Sequence, residues 1–304
     1  MGSICIFGVF VADLCFFGQT IPLRGQTILG NKYIVGPGGK GSNQAIAAAR
    51  LGANVKFITK LGKDSYADMA ISLYKKCGMK IDTIIQDPNL STGVAGIMID
   101  ENTGDNIINV IPGAAGHLNN KDIDKNLNAI KTSKVFLTQL EAPQKAMSYA
   151  LGKAKNLGCI TLVNPAPAAK INDKDFKKID FFTPNEKEAG FYLKKNIETQ
   201  TDIKKAANDL LKKGIKNIVI TLGAKGVYFA NSKENYFIDA FKLKKKVVDT
   251  TGAGDAFNGA FAFAIANDYD NKKALNFANK VAGISTTSLG AANSMPTSKE
   301  VNNY

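Results

Sequence analysis

The chain has 304 residues, with 39 Lys and Arg against 26 Asp and Glu, one His, and a formal net charge of +13. Hydrophobic residues make up 45% and charged residues 21%, which excludes a disordered chain; 28 Gly and 9 Pro are too few and too scattered for collagen or low complexity. Only Arg24 and Arg50 are Arg, so the charge is dispersed Lys, densest at Lys242–Lys246 and Lys194–Lys195, which reads as a solvated surface rather than a nucleic-acid site.

In chain order, Ile4–Val9 is a short apolar run with the character of a buried strand. Phe16–Val35 lacks helical periodicity and reads as an extended pair broken by Pro22 and Gly25. Gly41–Leu51 is Ala-rich and helical, stopped by Gly52. Val55–Thr59 is the next strand and Tyr66–Cys77 the next helix, closed by Gly78. Thr92–Ile111 is a second extended pair, with Asn102 and Gly104 at its turn. Lys134–Leu137, Ile160–Val163, Phe181–Thr183 and Ile218–Leu222 are further buried strands, with helices at Gln144–Leu157 and Ile203–Lys213. Strands alternating with helices indicate βαβ units and a mainly parallel sheet, with the two extended stretches standing apart as a cover.

The four cysteines, Cys5, Cys15, Cys77 and Cys159, form no C-x-x-C pair and read as buried reduced thiols. No basic residue precedes the apolar stretch Ile4–Phe10, and Asp13 follows it, which does not suit a signal peptide. No apolar run has the length to cross a bilayer, and a cytoplasmic chain without membrane or nucleic-acid partners is expected.

Three segments carry chemistry. In Val248–Ala260, VDTTGAGDAFNGA, small residues Gly252, Ala253 and Gly254 open an apolar helix. Backbone N–H groups there can approach an anion closely, with the positive end of the helix dipole behind them. Asp255 can accept a proton from a hydroxyl, or simply cap the helix. In Val35–Gln44, VGPGGKGSNQ, the spacing fits neither a Walker A loop nor a dinucleotide fingerprint. Gly38 and Gly39 allow close backbone approach, and Lys40 and Asn43 are donors suited to sugar hydroxyls; a flexible Gly turn is the alternative. Finally, Asn164, Thr183–Glu186 with Glu188, and Thr221–Gly223 fall at strand C-terminal ends, where open parallel sheets bind ligands. Asn185 and Glu188 have the oxygens to hold Mg²⁺ through water, or to cap a helix.

Together these segments resemble the ribokinase family, also called the phosphofructokinase-B family of sugar and nucleoside kinases. The resemblance spans the chain, through Gly-Gly-Lys-Gly-Ser-Asn-Gln-Ala at Gly38–Ala45, Gln-Leu-Glu at Gln139–Glu141, NPAPA at Asn164–Ala168, Thr-Pro-Asn-Glu at Thr183–Glu186 and Asp-Thr-Thr-Gly-Ala-Gly-Asp-Ala-Phe at Asp249–Phe257. It implies an α/β, Rossmann-like three-layer domain over 1–304, with a mainly parallel central sheet and a small β-sheet lid at about 14–36 and 92–112. It implies ATP-dependent phosphorylation of a sugar hydroxyl, with Asp255 as base and Gly252, Ala253 and Gly254 as anion hole. Asp13, Gly39, Lys40, Asn43 and Glu141 match sugar-contacting positions. Asn185, Thr221, Gly223, Gly254 and Asn279 match the nucleotide site, and Glu188 the Mg²⁺ region. Asp249, Thr251, Ser285, Ser288, Gly290 and Ser294 match a monovalent-cation site, usually for K⁺. A homodimer through the lid is also implied.

One departure bears on the substrate. The family usually reads Gly-x-x-Asn-x-Asp after strand one, the Asn binding ribose; here the run is Gly8-Val9-Phe10-Val11-Ala12-Asp13. An apolar Val11 removes a partner for a sugar hydroxyl, a feature shared with deoxyribokinases of the family. The expected reaction is 5-phosphorylation of ribose, with 2-deoxyribose, another sugar or a nucleoside as alternatives. A non-catalytic sugar-binding regulator is opposed by the intact Asp255 and Gly252–Gly254.

Overall fold

Side chains alternate along the first strand. Ile4 and Ile6 pack into one core, Cys5 and Phe7 into another, all fully buried. Burial on both faces is what a parallel sheet between helix layers requires. The computed structural model describes residues 2–304. Its strands in chain order are β1 (Ser3–Phe7), β2 (Val11–Gly18), β3 (Lys32–Gly38), β4 (Asn54–Leu61), β5 (Ile84–Gln86), β6 (Thr92–Asp100), β7 (Asn106–Gly113), β8 (Val135–Thr138), β9 (Ile160–Val163), β10 (Phe181–Phe182), β11 (Asn217–Thr221), β12 (Val227–Asn231) and β13 (Asn235–Ile238).

The large sheet has the order β13-β12-β11-β10-β9-β8-β1-β4-β5. It is parallel from β5 to β11, and β12 and β13 add antiparallel. Helices Lys40–Arg50, Ser65–Lys76, Ala253–Ala266 and Asn271–Ser285 cover the face of Ile4 and Ile6. Helices Gln144–Asn156 and Gln200–Lys212 cover the face of Cys5 and Phe7. The chain leaves β1 toward β4 on one side and returns to β8 on the other. That reversal opens a crevice beyond the C-terminal ends of β1 and β8, where ligands bind in such sheets.

The second sheet has the order β3-β2-β6-β7, with β2 and β6 parallel and the outer pairs antiparallel. Each extended stretch is therefore an antiparallel hairpin, β2–β3 and β6–β7, and the two are joined edge to edge by the parallel pairing of β2 with β6. Strand β2 begins at Val11, earlier than the sequence pattern indicates, and 19–31 carries no strand. Strands β5, β12 and β13 and the helix Asn271–Ser285 were not evident in the pattern. Cys5 and Cys159 are buried, but Cys15 and Cys77 are only partly so, which corrects the expectation of four buried thiols. Among the described residues no helix is long and apolar enough to cross a membrane. Lys194, Lys195, Lys242 and Lys244–Lys246 are exposed.

Candidate active site

The helix Ala253–Ala266 starts without a side-chain cap. Its N-cap, Gly252, has φ 77°, and a Cβ there would lie 2.9 Å from Ala291 Cα, so both conformation and packing call for glycine. Gly254 differs: a Cβ would meet nothing within 4 Å, so its backbone faces open space. A bare helix start facing open space offers N–H groups to an anion. Asn258 Nδ2 donates to the Gly254 carbonyl at 2.8 Å and holds this turn from below.

Asp255 follows on the same turn and is 6% exposed. Its two carboxylate oxygens accept from separate amides: Asn43 Nδ2 to Oδ2 at 3.0 Å and Gln44 Nε2 to Oδ1 at 2.9 Å. Both donors come from the helix Lys40–Arg50, whose N-cap Gly39 has φ 86°. A Cβ on Gly39 would lie 2.7 Å from the Val9 carbonyl oxygen, so glycine lets this helix start against the end of β1. Asn43 Oδ1 is buried without a protein partner, an acceptor left for a hydroxyl.

Three more carboxylates and one ammonium surround Asp255. Glu141, just after β8, accepts the Lys40 backbone N–H at 2.8 Å; burial pushes its carboxyl up to about 7. Asp13 stands on β2 between Gly36 and Ala95 of the flanking strands. Burial, and then the charge of Asp255, push it up to about 6. The Lys40 ammonium is held above its ordinary value chiefly by Asp255, against burial, with further help from Glu141, Glu188 and Asp13. Desolvated carboxylates around one cation, with hydroxyl-sized acceptors, suit a polyhydroxylated ligand.

A cavity of about 440 Å³ lies on the other side of Gly254, lined by Ala253, Gly254, Thr221, Gly223 and Asn279 among others, with Phe241 and Leu243 as apolar walls. Asn279 Nδ2 donates to the Asp239 carbonyl at 3.3 Å. An apolar slot whose inner end reaches a bare helix start suits a base carrying phosphates. Asn185 and Glu188 form a reciprocal capping box at the helix Glu186–Leu193, with both bonds at 2.8 Å. The cap reading is thus realised. Burial, with a smaller contribution from the Asp255 charge, raises the Glu188 carboxyl against the Asn185 N–H and the Lys40 charge.

The remaining candidates gather beside Gly252. Asp249 accepts from Thr251 N at 2.8 Å and Gly290 N at 2.9 Å, tying two loops together. Ser285 and Ser294 are buried and donate to the Ala282 and Ala291 carbonyls, while Ser288 is exposed. One carboxylate plus hydroxyl and carbonyl oxygens is a donor set that fits a hard cation.

Sequence reasoning assigned no role to Gln44, Gln139 or Asn258, which the structure places around Asp255 and Gly254. A signal existed for Asn258, a polar residue in the otherwise small and apolar run AFNGAFAFAIA, whereas Gln44 and Gln139 stand among other polar residues in KGSNQ and TQLE.

The model of the pfkB family carbohydrate kinases matches residues 1–298. The chain is 34% identical over 303 residues to a deoxyribokinase of Salmonella typhi, covering 99% of this chain and 98% of that one. The solved ribokinase of Thermotoga maritima shares 36% identity at a TM-score of 0.90, covering 100% and 99% of the two chains. Arabidopsis thaliana ribokinase, solved with ribose and ATP, superposes at a TM-score of 0.92 with 27% identity, covering 100% and 98%.

Proposed function

The chain belongs to the pfkB family of carbohydrate kinases, and on that premise we propose that it transfers the γ-phosphoryl group of ATP to the 5-hydroxyl of D-ribose. One observation carries the reading: a carboxylate fixed by two amides stands beside an uncapped helix start, between a polar cluster and an apolar slot. Asp255 takes the hydroxyl proton as the sugar oxygen bonds to phosphorus; the bond to the β-phosphate oxygen breaks and ADP leaves. Gly252, Ala253 and Gly254 present N–H groups to the charge on the transferring group, where fixed dipoles act without reorganisation. Asp13, Gly39, Lys40, Asn43 and Glu141 hold the sugar. Thr221, Gly223, Gly254, Asn185 and Asn279 hold the nucleotide.

Glu188 would hold Mg²⁺ through water, and Mg²⁺ when bound neutralises phosphate charge. Asp249, Thr251, Ser285, Ser288, Gly290 and Ser294 would hold K⁺, which adds positive potential behind the anion hole without touching substrate. The four unpaired cysteines fit a reducing compartment such as the cytoplasm.

The second reading is 2-deoxyribose. It is favoured by Val11, which is 4% exposed on the Asp13 face of β2, and by the similarity to the Salmonella deoxyribokinase. The test is a coupled spectrophotometric assay with ATP, Mg²⁺ and K⁺ on ribose, 2-deoxyribose, fructose and adenosine. Ribose should turn over fastest, and Asp255→Asn should lower kcat by about 10³-fold or more. A folded, ATP-binding protein inert on all four would overturn the reading.

A further inference from the structure

We propose that Gln44 is the positioning residue that aims the Asp255 carboxylate at the sugar hydroxyl, and that Gln139 and Asn164 lock Gln44 in turn. The inference rests on the reading of Asp255 as the base.

The polarity of the network is forced from its ends. An ionised carboxylate only accepts, so the Gln44 atom 2.9 Å from Asp255 Oδ1 must be its nitrogen. At the other end, Asn164 Nδ2 donates to the Thr183 carbonyl at 3.2 Å, which leaves Asn164 Oδ1 to accept the second Gln44 Nε2 hydrogen at 3.0 Å. With both hydrogens engaged, Gln44 Oε1 can only accept, and Gln139 Nε2 donates to it at 2.6 Å. No Gln44 amide rotation satisfies these neighbours except the one observed. The arrangement ties the helix Lys40–Arg50 to the sheet edge, since Gln139 follows β8 and Asn164 follows β9, neighbouring strands on one side of β1.

Folding alone does not account for Gln44. It is fully buried in a helix that continues Ala-Ile-Ala-Ala-Ala, where an apolar side chain carries no desolvation cost. Its three hydrogen bonds offset that cost, and one of them fixes the rotation of the base. A proton acceptor must meet its hydroxyl within a narrow range of distance and angle, so a freely rotating Asp255 would be in position only part of the time. Gln139 Oε1 has no partner, and a Cβ on Gly8 would clash with it, so Gly8 leaves room for this side chain.

The test compares Gln44→Leu and the isosteric Gln44→Glu with the parent enzyme, measuring kcat, the KM values for sugar and ATP, and the pH profile of kcat. Asp255 is also faced by Asp13 from β2, Lys40 from its helix, Glu141 from beyond β8 and Glu188 from its own helix; these are unchanged in both variants. Gln44→Leu is expected to lower kcat about 10- to 100-fold with the ATP KM unmoved. It should also carry the acidic limb of the kcat profile to higher pH, because a donor to the charged base is gone. Gln44→Glu puts two carboxyls in contact and should move that limb further, by more than about one pH unit. If Gln44→Leu does not fold, the limb of Gln44→Glu decides. An unmoved limb in a folded variant overturns the proposal while Asp255→Asn remains inactive. An active Asp255→Asn overturns both this proposal and the base assignment.

Discussion

Gly259 lies directly against Gln44: a Cβ on Gly259 would come within 2.6 Å of the Gln44 carbonyl oxygen and of the Ala47 methyl. This close approach brings the Lys40–Arg50 and Ala253–Ala266 helices together one turn beyond Asp255, where Asn43 and Gln44 reach it. Backbone blocks the added methyl, so Gly259→Ala must push the helices apart. Its better helix propensity recovers about 1 kcal/mol, against overpacking that costs typically 1–3 kcal/mol. Thermal denaturation should show a lower Tm, and kcat should fall as the amides part from Asp255. An unchanged Tm with full activity would show that the close approach is not required.

The sheet and its edge were legible because the strands are buried on both faces and end in Gly, Asn or Thr at the crevice, as in Asn164 and Thr221. The uncapped helix start was legible because Gly252, Ala253 and Gly254 precede an apolar run; the structure adds that Gly252 is required by φ and packing while Gly254 faces open space. The amide chain was not. Gln139, Gln44 and Asn164 lie 25 or more residues apart in sequence, and only the reversal of strand order at β1 makes them neighbours. The pairing of β2 with β6 was hidden for the same reason: a parallel contact between two hairpins leaves no local turn signal.

Sugar affinity should depend on pH through Glu141 and Asp13. Burial raises both above ordinary carboxylate values, to about 7 and about 6. Groups raised in the folded state contribute stability that is complete below their unfolded values and is lost as pH rises through the folded ones. These two therefore favour the fold at acid pH and oppose it above about pH 7. Binding runs the other way, because the ionised forms accept hydroxyl hydrogen bonds. The ribose KM should rise as pH falls from about 7.5 to 5.5, and Glu141→Gln should flatten the upper part of that curve. A KM constant across this range would remove both groups as ionised sugar contacts.

Val11→Asn should shift preference toward ribose. Val11 is buried opposite Gly38 and Gly93, two residues before Asp13 on the same face of β2. An amide there can bond a hydroxyl that 2-deoxyribose lacks, a difference of about 0.5–1.5 kcal/mol, or roughly 2- to 12-fold in the ratio of kcat/KM. Without sugar the buried amide lacks a partner, so the free variant should also melt earlier, and ribose should recover more of its Tm than deoxyribose does. Equal ratios in parent and variant would show that this position does not read the sugar.

The small sheet predicts the oligomeric state. Pairing aligns Tyr33, Phe16, Met98 and Ile107 in one row across all four strands, on the face opposite Asp13. They are 72%, 48%, 41% and 51% exposed, and Ile111 on the same face is 56% exposed. A continuous apolar row on a sheet with two free edges is a surface that soluble proteins ordinarily cover. A second copy packing through the same sheet would bury it by two-fold symmetry. Light scattering should therefore give twice the monomer mass of 32.5 kDa. Phe16→Asp combined with Ile107→Lys places charge at the centre of the row and should yield a monomer with unchanged far-UV circular dichroism. A parent protein that already runs as a monomer at micromolar concentration, or a charged variant that remains a dimer, would place the contact elsewhere.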